Sequence, residues 1–365
     1  MVKPNHKGKG RQQMGKQRIL HVINWIGDRG SEKTCLNYAK QCTEFEHLFL
    51  ARAILSEEAL VNFSAAGSIY MDEDRGTGDF FEYTMLNDAF VKQHNIDLVI
   101  IYLPGDDVPK YVKKLSCKKI LHVLCTKKCN LNGTHFDAVT VPSKYAASLN
   151  PNLNPEFVYP VVERIEPVDT KERLLKRYFP EAQEGTMIVS RIGSIETCKH
   201  PEDFLKVAEM LQHVKNIVFL IAGIGNPGYT NNLFSKYNLP NVVFAGRVSE
   251  KEKANINAAS VACLYPTEFE AFGYSLAEPM SHDVPVITYN ESACPETIGD
   301  GGKAVEFNNL TQLSQALVNI VTRPTHRKKL GEKARQRWAE NFAPDSSSKK
   351  MAEIYKRVLN VESKN

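Results

Sequence analysis

Short apolar runs alternate with amphipathic stretches along most of the chain, and the alternation falls into two series. In the first, strands are predicted at 18–25, 47–55, 96–102, 119–124 and 138–141. Helices are predicted from the loop 26–33 through about residue 43, and near 84–94, 107–116 and 143–149. A Pro- and Asn-rich stretch, 150–160, reads as a boundary. The second series places strands at 187–190, 217–222, 242–244, 261–265 and 284–288, with helices near 200–213, 229–237, 249–258 and 275–282. Three helical patterns, 309–322, 325–342 and 345–361, close the chain, and Asp345-Ser-Ser-Ser after Pro344 reads as a capped helix start. Apolar runs this short, separated by helices, imply parallel sheets covered on both faces. The fold class is therefore α/β, with two doubly wound, Rossmann-like domains and a ligand crevice between them at the strand C-termini. The segments expected are a basic tail (1–17), an N-terminal domain (18–160), a second domain (161–342) and a C-terminal stretch (343–365).

Length and composition fit this reading. At 365 residues the chain is long enough for two cores, and 42% hydrophobic with 24% charged residues is typical of a soluble globular protein. No apolar run approaches the ~18 residues of a spanning helix, and the charged N-terminus lacks the apolar core of a signal peptide. Eight cysteines are scattered. Only Cys125 and Cys129 are close, and no partners follow at zinc-site spacing, so they read as cytosolic thiols and no metal is expected. The expected location is cytoplasmic or peripheral to a membrane. The net charge of +4 is uneven. Lys3, Lys7, Lys9, Arg11, Lys16 and Arg18 have no acidic neighbour within residues 1–18, which predicts a disordered tail that either solubilises the chain or tethers it to an anionic surface. A second basic cluster (Lys110, Lys113, Lys114, Lys118, Lys119, Lys127, Lys128) reads either as a solvated helix face or as a surface for a phospholipid or nucleic acid.

Three motifs fail on inspection. Gly223-Ile-Gly225-Asn-Pro-Gly228 follows a strand, but the next strand ends at Arg247 without the acidic residue that a dinucleotide site requires. Gly27-Asp-Arg-Gly30-Ser-Glu-Lys33-Thr34 places Glu32 where a phosphate loop needs Gly. Asp72-Glu-Asp74 lies far along the chain from the carboxylates considered next, and reads as a charged loop.

The most informative stretch is Glu270-Ala-Phe-Gly-Tyr-Ser-Leu-Ala-Glu278. A strand ending in a small-residue turn that opens a helix aims backbone N–H groups at a crevice, which suits an anion. Two carboxylates beside it suit hydroxyl groups, so phosphate and sugar belong on one ligand, a nucleotide sugar. The run from Tyr265 to Thr288 resembles the signature of retaining GT-B glycosyltransferases of family 4, with departures at Ala271, Pro279 and Asp283, where Gly, Ala and Gly are usual. The segment from Arg191 to Lys199 is similar to that family's Gly-Arg-Leu…Lys-Gly segment, and Ala293-Cys-Pro-Glu296 to its Gly-Gly-x-Pro-Glu.

This resemblance implies the GT-B fold and sugar transfer from a nucleotide donor with retention. UDP is favoured, GDP next, and no cofactor or metal is required. It implies that Arg191 and Lys199 neutralise the leaving diphosphate, that Glu270 accepts from sugar hydroxyls, and that Glu278 binds the ribose diol. Phe272, Gly273, Tyr274 and Ser275 would meet the donor, Gly223, Gly225, Arg247 and Thr267 would line the nucleotide side, and Gly27 and Gly30 would form the first-domain turn against the diphosphate. The family's catalytic His position reads Cys125, which leaves His122, Lys127 and Lys128 as acceptor-side candidates; His135 is a further possibility, and so is none of them. The acceptor is unidentified: a glycan, a lipid-linked group or a nucleic acid. Two alternatives stay open, a sugar-nucleotide epimerase of the same fold and a glycosyltransferase acting on modified DNA bases.

Overall fold

The computed structural model describes residues 15–72, 83–103, 110–124, 126, 128–129, 135–214 and 216–361. Two all-parallel sheets organise them. The first sheet contains β1 (Arg18–Val22), β3 (Glu46–Ala51), β5 (Ser68–Met71), β6 (Leu98–Leu103), β7 (Lys118–Val123), β8 (Ala138–Val141) and β9 (Glu156–Phe157), ordered β5-β3-β1-β6-β7-β8-β9. The second contains β10 (Met187–Ile192), β11 (Ile217–Ala222), β12 (Val242–Gly246), β13 (Ser260–Leu264), β14 (Val286–Tyr289) and β15 (Gly302–Val305), ordered β12-β11-β10-β13-β14-β15. In each sheet the winding reverses, between β1 and β6 and between β10 and β13. At such a point the loops leave in opposite directions and a crevice opens beyond the strand ends.

Several local expectations are corrected. The runs 18–25 and 47–55 are not single strands. Each breaks, and the distal pieces, β2 (Trp25–Ile26) and β4 (Ala53–Ile54), pair with each other as a separate parallel ribbon. The stretch 107–116 contributes a 3₁₀ turn at Lys110–Lys114 rather than a helix, its first residues lying outside the described ones. The last helix starts at Pro344, whose missing N–H costs nothing at a first helical position, and Ser347 and Ser348 lie inside it. The stretch 150–160 holds β9, the edge strand of the first sheet. The Asp72 carboxylate is buried and accepts from Thr84 Oγ1 and Met85 N, a structural role. Glu73, Asp74 and most of the basic tail lie outside the described residues, whereas Arg18 starts β1 and pairs with Glu46.

The C-terminal helix Pro344–Leu359 packs Met351, Ile354, Tyr355 and Val358 into the core beneath the first sheet. Segment 158–162 ties the halves together. Val158 and Tyr159 carbonyls accept from the Tyr38 hydroxyl, and the Val161 carbonyl accepts from Asn37 Nδ2. Val162 donates its N–H to the Phe342 carbonyl and accepts from Trp338 Nε1. The Glu296 carboxylate accepts from Lys144 N, Tyr145 N and the Tyr159 hydroxyl, joining the second domain to the first.

Inside the first sheet, His47 Nε2 lies 3.0 Å from the Cys42 carbonyl, His47 Nδ1 2.9 Å from His21 Nε2, and His21 Nδ1 3.1 Å from the Tyr102 hydroxyl. One proton arrangement satisfies every contact with both rings neutral: each imidazole donates from Nε2 and accepts at Nδ1. Burial lowers the pKa of both rings. His122 in β7 is also fully buried; its Nδ1 lies 2.7 Å from Thr140 Oγ1, and burial lowers its pKa to about 3. A histidine kept neutral in the fold but free to charge when unfolded contributes stability that is lost as pH falls below about 6.5. Between pH 7 and pH 5, His122 alone should account for about 2 kcal/mol of lost stability. Denaturant unfolding at the two pH values should therefore show a smaller acid loss in His122→Asn than in the parent by roughly that amount.

Candidate functional site

The C-terminal ends of β10 and β13, where the winding reverses, collect most of the residues singled out in the sequence. Arg191 sits near the end of β10 and is fully buried. Its Nη2 donates to the Ser194 and Lys199 carbonyls at 3.1 and 2.8 Å, and its guanidinium lies 4.6 Å from the centre of the Tyr265 ring. Among the described residues, Nε and Nη1 have no partner and no carboxylate forms an ion pair with it. Burial lowers its pKa, but a guanidinium remains charged. The site thus holds a dry positive charge with donors to spare.

Lys199 follows on the loop after β10. Its Nζ donates to Glu270 Oε1 at 2.7 Å and to the Phe269 carbonyl at 2.6 Å. Burial works against its charge, but the Glu270 carboxylate outweighs burial and raises the pKa. Glu270 in turn donates its backbone N–H to Ser292 Oγ at 2.9 Å. Arg191, Lys199 and Glu270 are therefore brought together.

Gly273 (φ 94°) lets the chain turn into the helix Tyr274–Met280, a conformation an L-residue adopts only with strain. Gly223 serves a close approach: a Cβ there would meet the Gly193 carbonyl oxygen at 1.8 Å. Gly225 forms a bridge with Ile195. These two glycines let the loops after β10 and β11 touch. The Phe272 ring is core, packed on Phe342, and its carbonyl accepts from Thr297 Oγ1. Thr267 is buried, and its Oγ1 has no partner among the described residues. The Ser275 hydroxyl and the Tyr265 hydroxyl both crowd Gly193, at 2.8 and 2.4 Å from where its Cβ would be.

The first domain meets this crevice through the helix Gly30–Gln41. A Cβ on Gly30 would lie 3.6 Å from the Tyr274 ring, whereas Gly27 rests on Leu55. The Tyr274 hydroxyl reaches Thr34 Oγ1 (3.2 Å) and the Val161 carbonyl (3.3 Å). Lys33 Nζ donates to Glu278 Oε1 at 2.8 Å and Glu250 Oε2 at 2.9 Å, while Lys253 Nζ lies 2.8 Å from Glu250 Oε1 and 3.5 Å from Glu278 Oε2. Two lysines and two glutamates alternate in a closed ring across the domain boundary, and the carboxylates raise the Lys33 pKa against its burial. Only the Glu250–Lys253 contact is local, three residues apart on the helix Glu250–Ala259; Lys33 lies more than two hundred residues from both of its partners, and Glu278 is on a separate helix, so the ring as a whole has no local sequence signal. Arg247 is exposed and pairs with Asp28 at 3.3 Å.

Of the residues expected on the acceptor side, His122 is sealed inside β7 with a depressed pKa. Lys128 is exposed, and Lys127 lies outside the described residues. In the lysine cluster, Lys118 pairs with Asp137 and Lys119 donates to the Leu115 and Cys117 carbonyls, while Lys113 and Lys114 face solvent. Among the described residues, no three His, Cys, Asp or Glu side chains gather at metal-binding geometry, and no helix is long and apolar enough to cross a membrane.

Residues 175–337 match the family described as glycosyl transferases group 1. Among curated proteins, the chain is 23% identical over 145 residues to an MMP alpha-(1->4)-mannosyltransferase of Mycolicibacterium hassiacum, covering 38% of this chain and 35% of that one. It is 26% identical over 217 residues to the N-acetyl-alpha-D-glucosaminyl L-malate synthase of Bacillus anthracis, covering 58% and 56%. The chain thus spans about a third to somewhat over half the length of these relatives. Among solved structures, a glycosyltransferase from Rickettsia africae superposes with TM-score 0.75 at 19% identity, over 95% of this chain and all of that one. Anabaena HepE in complex with UDP-glucose superposes with TM-score 0.73 at 14% identity, over 93% and 99%. With its twin parallel sheets, the chain has the GT-B fold, and its second domain carries the match to the group 1 glycosyl transferases.

Proposed function

We propose that the protein is a retaining, family 4-like glycosyltransferase that moves a sugar from a nucleotide-sugar donor, UDP-linked in preference to GDP-linked, to an acceptor still to be identified. One observation carries this reading: a buried Arg191 with unused donors stands next to the Lys199–Glu270 pair in a switch-point crevice. The matches to a mannosyltransferase and to a UDP-glucose-bound structure support a nucleotide-sugar donor.

In this reading the diphosphate draws on the free donors of Arg191 and on Lys199, which stabilise the charge that grows as the glycosidic bond breaks. Glu270, with Oε1 held by Lys199, orients the sugar through its hydroxyls. The departing phosphate oxygen takes the acceptor proton, and the acceptor attacks from the same face, so no enzymic nucleophile enters the scheme. The ribose diol replaces Lys33 on Glu278, which couples donor entry to the contact between the domains. With two fixed cations in place, no metal is required.

A panel of UDP-, GDP-, ADP- and dTDP-sugars, with and without Mg²⁺, tests the donor site. A sugar nucleotide at 100 times its Kd should stabilise the fold by ~2.7 kcal/mol, read as a raised Tm without added metal. No shift with any member would overturn the reading. With the donor so identified, Glu270→Gln should lower kcat about a hundredfold or more while leaving the melting profile near that of the parent. Near-normal turnover would refute the assignment of Glu270.

A further inference from the structure

The residue after Lys199 departs from the pattern that the Arg191–Lys199 segment resembles: it is His200, where Gly is usual. Its backbone is left-handed, φ 42° and ψ 48°, a conformation glycine enters freely and other residues enter under strain. A strained side chain held at such a position points to a use for the side chain.

Its surroundings indicate that use. His200 Nδ1 lies 3.1 Å from Asp203 Oδ2, on the helix Pro201–Met210. Nε2 lies 3.5 Å from Glu268 Oε2, an ion-pair contact without hydrogen-bond alignment. Two carboxylates on separate segments thus flank one imidazole. The loop that carries His200 also touches the Glu268 segment directly: Glu268 N donates to the Cys198 carbonyl at 3.2 Å, and Lys199 Nζ reaches the Phe269 carbonyl and Glu270 Oε1. The other groups around the ring are accounted for. Tyr289, from β14, is edge-on to it and donates its hydroxyl to Asp203 Oδ2 at 2.7 Å. Phe307 covers another side, and Lys206 pairs with Asp203 at 3.3 Å.

We propose that His200, in its protonated form, is a positioning residue that clamps the Lys199 loop to the Glu268–Glu270 segment and so sets how firmly the site grips the donor diphosphate. This rests on the donor-site reading above. The hydrogen bond to Asp203, opposed by partial burial and aided by the charges of Asp203 and Glu268, raises the His200 pKa above the usual histidine value. The sign follows. The clamp is complete at a pH below that raised value and is released as pH rises through it, so donor affinity weakens as pH rises.

The test is calorimetric affinity for UDP-glucose and GDP-mannose from about pH 6 to pH 8.5, a span that brackets the ordinary histidine range. The parent should lose affinity across this span, by up to about tenfold, the scale of one charge-assisted contact. His200→Gly removes the ring and relieves the backbone, so the variant should fold, bind about as weakly as the parent at high pH, and show no pH dependence. His200→Asn, which also tolerates the left-handed backbone, should likewise be flat. Melting curves establish that both variants are folded. A flat parent profile, or variants that keep the parent's affinity and slope, would overturn the clamp while leaving the donor site standing. Failure of the parent to bind either sugar nucleotide at any pH would overturn the donor-site reading, and the clamp with it.

Discussion

The second domain's crevice is organised around a charge that cannot return to water. Arg191 is fully buried and, among the described residues, forms no ion pair with a carboxylate, so its desolvation is offset by backbone carbonyls and the Tyr265 ring. Those carbonyls belong to Ser194 and Lys199, so satisfying the guanidinium fixes the path of the loop after β10. That path delivers Lys199 to Glu270 and leaves His200 in its left-handed conformation. One buried cation thus sets the positions of two side chains on the loop that follows it, Lys199 and His200.

The domain boundary obeys a similar rule. Lys33 has little exposure and would be costly there alone. Its ring with Glu278, Lys253 and Glu250 balances two positive against two negative charges. Glu296, which accepts two backbone N–H groups and the Tyr159 hydroxyl, joins the domains at a second point. Both contacts use second-domain carboxylates, and one of them, Glu278, is the group assigned to the ribose. In the proposed donor site, the contact between the domains and the binding of the ribose would draw on the same carboxylate.

The sequence alone determined the alternation of strand and helix, because apolar runs of four to six residues leave few other ways to bury themselves, and it marked Glu270, Arg191 and Lys199 through the motif they sit in. It was less informative where a run was long enough to break. The stretches 18–25 and 47–55 read as continuous strands, and only the pairing of β2 with β4 shows where each divides. His122 was identifiable as a strand residue, but its complete burial depends on the helices that cover the sheet. Gly223 and Gly225 looked like a failed dinucleotide motif. Their geometry instead answers to the neighbouring loop, which would collide with any Cβ. Lys33 sat in an apparently spoiled phosphate loop, and its partners, Glu250 and Glu278, lie over two hundred residues away. Periodicity is a local property and survives in one dimension. The balance of a buried charge depends on which distant groups the fold brings within about 3 Å of it, and only the tertiary structure decides that.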